Sequence, residues 1–191
     1  MAEGPRLVVA TSNPGKLKEF AELLPEFTLV AWADAVEEVG ATYEENAVLK
    51  AVAASTATGL PALGDDSGLE VEALGGEPGL RSKRLAPTQE DRDRTLWERL
   101  RGTPRPWRAR FVAALALAFP DGRKTVVRGV AEGEVLPERR GAQGFGYDPV
   151  FYVPEAEATF SELHGAGKHA VSHRGAAVRA LRASGALSSL E

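Results

Sequence analysis

The sequence contains no cysteine and only three histidines, at positions 164, 169 and 173. The absence of cysteine excludes disulfide bonds and thiolate-bound zinc, and the scarcity of histidine disfavours an imidazole-rich metal site. Any metal ion is therefore expected to have oxygen ligands. This favours magnesium, with manganese as a substitute.

The sequence also lacks long apolar runs and an excess of positive charge. No apolar run approaches the roughly 20 residues of a membrane span, and the first residues show no charged-then-apolar pattern. We therefore expect a cytoplasmic protein with no membrane partner. The formal net charge is −4, whereas nucleic-acid-binding proteins normally carry a basic surface, so we expect no nucleic-acid partner. A small anionic ligand needs only a local positive pocket.

The 191 residues are predicted to form a single domain over residues 1–191, with two lobes. Apolar periodicity predicts helices over Lys16–Leu24, from Thr42 to about Gly59, over Thr88–Arg101 and over Arg174–Leu187. It predicts strands over Arg6–Thr11, Phe27–Ala31, Arg108–Phe119 and Thr125–Val135. Because helices alternate with strands early and a long hairpin follows, the predicted fold is α/β with a mixed sheet flanked by helices.

Two further local predictions concern less regular segments. In PALGDDSGLEVEAL we expect a short strand, an acidic turn at Asp65 and Asp66, and then another strand. After Gly185 the remaining serine- and leucine-rich tail is expected to be frayed.

A strand-to-helix corner lies in the stretch ATSNPGKLKE. Thr11, Ser12 and Asn13 precede the predicted helix start. Free N–H groups and the helix dipole favour an anion there, and Lys16 adds a full positive charge. The corner is not a P-loop, because the glycine spacing is missing and Leu17 follows the lysine. It is therefore either a phosphate-binding loop or a capped helix start with a surface lysine.

Two adjacent carboxylates, Asp65 and Asp66, follow a short apolar run in GDDSG. Adjacent carboxylates repel each other, and a divalent cation is a common way to offset that repulsion. The alternative is an Asx-type turn with two solvated aspartates. Glu37 and Glu38 form a second acidic pair, which either completes a metal site or remains solvated.

The segment GFGYDP carries two aromatic residues between glycines. The glycines allow a ligand to approach the backbone, and Phe145 or Tyr147 can stack on a planar base. Asp148 can accept a hydrogen bond from such a base. The alternative is a pair of core aromatic residues at a glycine turn.

The segment KHAVSHRG places Lys168, His173 and Arg174 around the predicted start of the last helix. Ser172 is a suitable cap for that helix. The cluster is therefore able to recognise an anion or a carbonyl group, although one basic cluster by itself is weak support for a site.

Taken together and in this order, these segments resemble the inosine/xanthosine triphosphate pyrophosphatases, the enzymes of the Ham1/RdgB type. The matching segments are ATSNPGKLKE, TYEENAVLKA, ALGDDSGLEVEALGGEPGLRSKR, ARFVAALALA, GFGYDPVFYVPE and SHRGAAVRAL. Each motif alone is weak, but six in register over almost the whole chain are hard to produce by chance. The resemblance implies a long curved mixed sheet, two lobes with a central substrate cleft, and a homodimer.

The resemblance also implies roles for individual residues. Asp66 matches the general base and a metal ligand, and Glu38 matches the second magnesium ligand better than Glu37 does. The implied substrate-binding residues are Thr11, Ser12, Asn13, Pro14, Gly15, Lys16 and Lys50 for the triphosphate, Ser67, then Phe145, Gly146, Tyr147 and Asp148 for the base, and Lys168, His173 and Arg174 for the purine edge.

The implied reaction is magnesium-dependent hydrolysis of ITP, dITP and XTP to a nucleoside monophosphate and pyrophosphate. Two alternatives remain open at this point. One is another metal-dependent phosphohydrolase, acting on a nucleotide or phosphosugar and releasing orthophosphate. The other is a nucleotide-binding module without catalytic activity. The released phosphate species separates the first alternative from the implied reaction, and turnover excludes the second.

Overall fold

The computed structural model describes residues 4–190, which form a seven-stranded mixed sheet flanked by helices. The strands are β1 (Arg6–Ala10), β2 (Thr28–Trp32), β3 (Ala62–Val71), β4 (Trp107–Ala118), β5 (Lys124–Val135), β6 (Phe151–Val153) and β7 (Ala158–Thr159). The helices are α1 (Pro14–Leu23), α2 (Tyr43–Thr58), α3 (Gln89–Leu100), α4 (Gly165–Val171) and α5 (His173–Ala183). The predicted α/β class is confirmed.

The sheet has the strand order β2-β1-β3-β4-β5-β6-β7. β1 runs parallel to both β2 and β3, whereas β6 pairs in antiparallel fashion with β5 and with β7. β4 and β5 form the predicted hairpin, and its turn is closed by a hydrogen bond from the Phe119 N–H to the Arg123 carbonyl. The sheet is therefore mixed, with parallel strands at one end and antiparallel strands at the other.

The chain divides into two compact units. Unit 1 comprises the described residues up to Asp66, Ala113–Gly129 and the described residues from Ala177 onward, and unit 2 comprises Ser67–Val112 and Val130–Ala176. Unit 1 has an aliphatic core in which Phe20 of α1 and Leu181 of α5 pack with Leu7 and Leu115. Unit 2 has a more aromatic core, with Phe111, Phe151 and Phe160 in mutual contact. The predicted substrate cleft stays a prediction.

Side-chain caps fix the starts of the first three helices. Asn13 caps α1, Thr42 caps α2 and Thr88 caps α3, each by accepting backbone N–H groups of the first turn. At α2 the Glu45 carboxylate also accepts the Ala41 N–H at 2.6 Å. The Glu45 side chain therefore contacts the residue that precedes the capping Thr42. This contact fixes the segment that enters the helix.

The predicted acidic turn is wrong, because β3 runs without interruption from Ala62 to Val71. Asp65 and Asp66 lie inside this strand and are 2% and 8% exposed. Two aspartates remain in a buried strand because lysines from other elements pair with them. The local sequence resembles a turn, but the compensating charges come from distant positions.

Two further differences concern the C-terminal part of the chain. α4 has no counterpart in the prediction, because its sequence GAGKHAV contains two glycines and no strong apolar period. The expected frayed tail is instead a short 3₁₀ helix, Leu187–Leu190, and Leu187 is buried in the unit 1 core. None of the helices described within residues 4–190 has the length and apolar character needed to cross a membrane.

Candidate active site

The charged cluster of unit 1 is assembled from β3, two helices and one loop. Gly64 brings β3 against α2, since a Cβ at this position would lie 2.1 Å from the Ala47 carbonyl oxygen. Such close packing places the two aspartates beside the α2 side chains. The members of this charged cluster are Lys16, Glu38, Asn46, Lys50, Asp65 and Asp66.

Lys50 is the centre of the charged cluster. Its Nζ lies 2.7 Å from Glu38 Oε1 and 3.1 Å from Asp66 Oδ1. It also donates a hydrogen bond of 2.9 Å to the backbone carbonyl of Asp65. The carboxylates of Glu38 and Asp66 therefore face the same positive centre, although Glu38 lies in an irregular loop and Asp66 in a strand.

Lys16 forms an ion pair with Asp65, so it is not the surface lysine of the alternative interpretation. The charged cluster thus contains three carboxylates and two ammonium groups. Burial alone lowers the pKa of Lys50, but the neighbouring carboxylates outweigh it and hold that pKa above its ordinary value. Burial raises the pKa of Asp66, and the nearby Lys50 only partly opposes this.

The strand-to-helix corner differs from the expectation in one respect. Two of the N–H groups expected to be free for an anion are bonded internally, because Asn13 Oδ1 accepts from Gly15 N at 2.8 Å and Lys16 N at 3.3 Å. Thr11 Oγ1 in turn accepts from Asn13 N at 3.1 Å. Pro14 has no N–H group. The positive charge of this corner therefore comes from the Lys16 side chain.

The donor atoms of the charged cluster suit a hard divalent cation. Carboxylate oxygens are the ligands that Mg²⁺ prefers, and Glu38 and Asp66 already converge on one cationic atom. Within residues 4–190 no group of three or more histidine, cysteine, aspartate or glutamate side chains is arranged to hold a metal ion. Magnesium commonly binds through one or two protein carboxylates together with substrate phosphates, so this donor set is compatible with it.

Unit 2 holds a second cluster, built around the segment GFGYDP. Asp148 is buried, and its Oδ2 accepts from Lys168 Nζ at 2.7 Å and from the Phe145 N–H at 3.0 Å. The Asp148 carboxylate thus closes the turn that contains Gly146 and fixes the lysine beside it. The Phe145 ring is half-buried, with Lys168 Nζ at 5.6 Å and Arg174 Cζ at 5.7 Å from its centroid.

Arg174 and His173 begin α5, which Ser172 caps as predicted by accepting the Gly175 N–H at 3.0 Å. Arg174 is only 2% exposed, and its Nη2 donates to Ser67 Oγ at 3.0 Å. The His173 ring stacks on Phe111, with centroids 4.6 Å apart and an interplanar angle of 12°. The Phe145, Asp148, Lys168 and Arg174 side chains form what we call the aromatic–basic cluster.

Tyr147 lies in the core of unit 2, where its hydroxyl donates to the Ser82 carbonyl at 3.0 Å. Burial raises its pKa well above the ordinary value. The structure therefore gives this ring a packing role of its own. Its predicted contact with a substrate base stays a prediction.

The sequence motifs did not identify two hydrogen bonds that join α3 to residues 136–139, the segment that leads into GFGYDP. Trp97 of α3 donates through Nε1 to the Leu136 carbonyl at 2.7 Å. Arg139 donates to the buried Asp93, also of α3, at 2.5 Å. The burial of Asp93 was not predicted; its helical position, three and four residues before the apolar Leu96 and Trp97, was the available indication.

Comparison with known proteins gives consistent matches over nearly the full chain. A model of the Ham1 family matches residues 7–184. A dITP/XTP pyrophosphatase of Thermus thermophilus is 51% identical over 192 aligned residues, covering 95% of this chain and 92% of the relative. The dITP/XTP pyrophosphatase of Deinococcus radiodurans is 49% identical, covering 93% of this chain and 92% of the relative.

Solved structures agree with these matches. The Ham1 protein of Staphylococcus aureus has a TM-score of 0.82 and 38% identity, covering 93% of this chain and 96% of that protein. A Mycobacterium abscessus structure described as a nucleoside-triphosphatase / dITP/XTP pyrophosphatase has a TM-score of 0.71 and 37% identity, covering 92% and 97%. Both structures therefore share the fold of this chain over nearly its whole length.

Proposed function

This chain belongs to the Ham1 family, and we propose that it hydrolyses the non-standard purine nucleotides ITP, dITP and XTP to a nucleoside monophosphate and pyrophosphate. The observation that carries the proposal is 51% identity, over 95% of this chain, to a relative named dITP/XTP pyrophosphatase. Such a reaction removes these nucleotides from the pool available for nucleic-acid synthesis.

The charged cluster of unit 1 is the proposed triphosphate site. Lys16 and Lys50 are the cations for the phosphate oxygens, and a polyanion is able to compete with the carboxylates that these lysines now contact. Thr11, Ser12, Asn13, Pro14 and Gly15 form the adjoining corner. Its internal hydrogen bonds give the corner a fixed shape before substrate arrives.

Glu38 and Asp66 are the proposed ligands of Mg²⁺, with Mn²⁺ as a substitute. When bound, the ion would neutralise phosphate charge and lower the pKa of a coordinated water. Glu38 is preferred to Glu37 because its carboxylate contacts the same Lys50 Nζ as Asp66 does.

Asp66 is the proposed catalytic residue. It orients a water molecule toward the α-phosphorus and accepts its proton. The water oxygen bonds to the α-phosphorus, the bond from the α-phosphorus to the α–β bridging oxygen breaks, and pyrophosphate leaves. Burial raises the pKa of Asp66 in the metal-free protein, and a bound Mg²⁺ would lower it, so we expect the acidity of the coordinated water to contribute more than the basicity of Asp66. The Asn46 amide, which donates to Asp66 Oδ2, leaves Oδ1 on the side of Lys50.

The aromatic–basic cluster of unit 2, with Ser67, Gly146, Tyr147 and His173, is the proposed base site. Phe145 stacks on the purine, and Lys168 and Arg174 donate to its 6-oxo group. Adenine presents a 6-amino donor to those donors, and this mismatch is able to produce large discrimination. No residue here is assigned to the ribose 2′ position, so ribonucleotides and deoxyribonucleotides are both expected to react.

The proposal includes a cytoplasmic homodimer, an assignment that follows the family resemblance. Apart from the second copy of the chain, the nucleotide is the only partner proposed. The oligomeric state is measurable by light scattering of the purified protein, where a mass of one chain would contradict the dimer.

The test of the proposed function is to incubate the protein and Mg²⁺ with ITP, dITP, XTP, GTP and ATP and to separate the products by ion-exchange chromatography. We expect monophosphate and pyrophosphate, formed fastest from ITP, dITP and XTP. Chelation of the metal should abolish turnover. Orthophosphate as the product would favour the other phosphohydrolase chemistry, and binding without turnover would favour a silent nucleotide-binding module.

A further inference from the structure

Asn46 is a buried polar residue of α2 that the sequence motifs did not single out. It is 1% exposed, in the motif TYEENAVLKA from which the family resemblance assigns only Lys50. Buried amides require partners for both ends of the side chain, since leaving either end unpaired is unfavourable. The two partners of Asn46 therefore define what the residue does.

Both ends of the Asn46 amide are paired, and each partner belongs to a different segment of unit 1. Nδ2 donates to Asp66 Oδ2 at 3.1 Å, and Oδ1 accepts the backbone N–H of Gly40 at 2.8 Å. A carboxylate only accepts and a backbone N–H only donates, so the amide has one suitable orientation. Asparagine is thus the residue type that satisfies both partners from this position.

The loop at Gly40 approaches α2 too closely for a larger residue. A Cβ at Gly40 would lie 2.7 Å from Asn46 Oδ1 and 2.7 Å from the Glu45 Cβ. The next residue, Ala41, donates its N–H to the Glu45 carboxylate. Two successive backbone N–H groups of this loop are therefore held by side chains from the first turns of α2. Glu38 precedes them by two positions.

We propose that Asn46 is a positioning residue. It fixes the loop that contains Glu38 and Gly40 and the Asp66 carboxylate in position relative to each other. This inference rests on the proposed function, in which Glu38 and Asp66 act together. Lys50 also links their carboxylates, but its ammonium is a point charge on a flexible stem, whereas the Asn46 amide is short and buried. The amide sets the orientation of Asp66, and the Gly40 contact sets the position of the loop.

Two substitutions separate these two effects. Asn46→Asp has nearly the same shape and keeps an acceptor for the Gly40 N–H, but it turns an acceptor toward Asp66. Asn46→Leu has similar volume and loses both hydrogen bonds. Ser55→Ala is the matched control, because Ser55 is also buried on α2 and has no role in the proposed chemistry.

The measurements are kcat and KM for ITP at saturating Mg²⁺, together with hydrogen exchange of the Gly40 amide in the protein without substrate. Loss of residues that orient metal ligands commonly costs roughly 10- to 100-fold in activity. We expect kcat to fall by about that factor in both variants. Fast exchange at Gly40 is expected only in Asn46→Leu. Ser55→Ala should match the wild type in both measurements.

Wild-type kcat in a folded Asn46→Asp protein would overturn the inference. Unchanged Gly40 protection in Asn46→Leu would overturn the loop part of it. If Asn46→Leu does not fold, Asn46→Asp alone decides the orientation of Asp66. A wild-type protein that fails to release pyrophosphate contradicts the proposed function itself. An active wild type with equally active Asn46 variants contradicts only this inference.

Discussion

The lysine and arginine side chains have different partners in the charged cluster of unit 1 and in the aromatic–basic cluster of unit 2. In unit 1, Lys16 and Lys50 pair with carboxylates that outnumber them. In unit 2, Lys168 and Arg174 lie near the face of Phe145, and Asp148 supplies a carboxylate contact to Lys168. The first arrangement concentrates charge, and the second combines charge with an aromatic surface.

This difference corresponds to two kinds of recognition. The clustered lysines and carboxylates can exchange their mutual ion pairs for contacts with phosphates and magnesium. Such contacts do not depend on the base to which the phosphates are attached. An aromatic ring flanked by hydrogen-bond donors favours a flat group with acceptors at its edge. We therefore expect substitutions in unit 1 to affect all nucleoside triphosphates alike and substitutions in unit 2 to affect the choice among bases.

The largest effect is expected from Asp66→Asn in unit 1. The substitution keeps the shape but removes the charge and the proton acceptor, so kcat should fall by roughly 10²- to 10⁴-fold for every substrate. Initial rates of pyrophosphate release measure this. Asp121→Asn is the control, since Asp121 lies in the exposed hairpin turn beside Arg123. A similar loss in the control, or a loss confined to ITP, would contradict the claim that the charged cluster of unit 1 acts on all nucleoside triphosphates alike.

A smaller effect, on KM rather than on kcat, is expected from Phe145→Leu in unit 2. Removing a stacking ring commonly costs about 1–3 kcal/mol per base, which corresponds to an increase in KM for ITP of roughly 5- to 150-fold. Steady-state kinetics measure it, and kcat should change little. Phe119→Leu is the matched control, because the Phe119 ring also faces an arginine, Arg123, with Cζ at 4.4 Å. Unchanged KM in Phe145→Leu would remove Phe145 from the base site.

The smallest effect is expected from Tyr147→Phe, which tests the packing role of this ring in unit 2. The variant loses the buried hydrogen bond to the Ser82 carbonyl, so the free energy of unfolding should fall by about 1 kcal/mol. For a chain of this length the melting temperature should fall by about 2–4 °C. Thermal unfolding monitored by circular dichroism measures this. An unchanged melting temperature would contradict this packing role, whereas a much higher KM for ITP would support the proposed contact of Tyr147 with the substrate base.

Periodicity was sufficient to predict most of the fold. The apolar period of α1, the helix start at Thr42 and the hairpin of β4 and β5 are all local features, and each lies where the sequence predicts it. β3 was predicted wrongly because the residues that neutralise Asp65 and Asp66 lie in α1 and α2. α4 was missed because glycine-rich segments lack the propensity that identifies a helix.

Most members of the charged cluster were named from the sequence, but their mutual contacts were not; their roles stay a prediction. Lys16, Lys50 and Asp66 were named from the motifs, and the structure brings them into the charged cluster. The two hydrogen bonds of Asn46 were not predictable, because its partners, Gly40 and Asp66, come from other segments. The capping of α1 by Asn13 was also not predictable, because the Asn13 side chain was as suitable for binding an anion as for capping the helix.

The most direct test of whether unit 1 binds the phosphates and unit 2 the base is to measure kcat/KM for ITP and for ATP. The proteins to compare are the wild type, Lys50→Gln and Arg174→Lys. Lys50→Gln should lower both values together and keep their ratio within about twofold, because phosphates are common to both substrates. Arg174→Lys replaces a planar donor group by a point charge, so the preference for ITP should fall by roughly tenfold or more. A collapsed ratio in Lys50→Gln, or an unchanged ratio in Arg174→Lys, would contradict the assignment of phosphates to unit 1 and the base to unit 2.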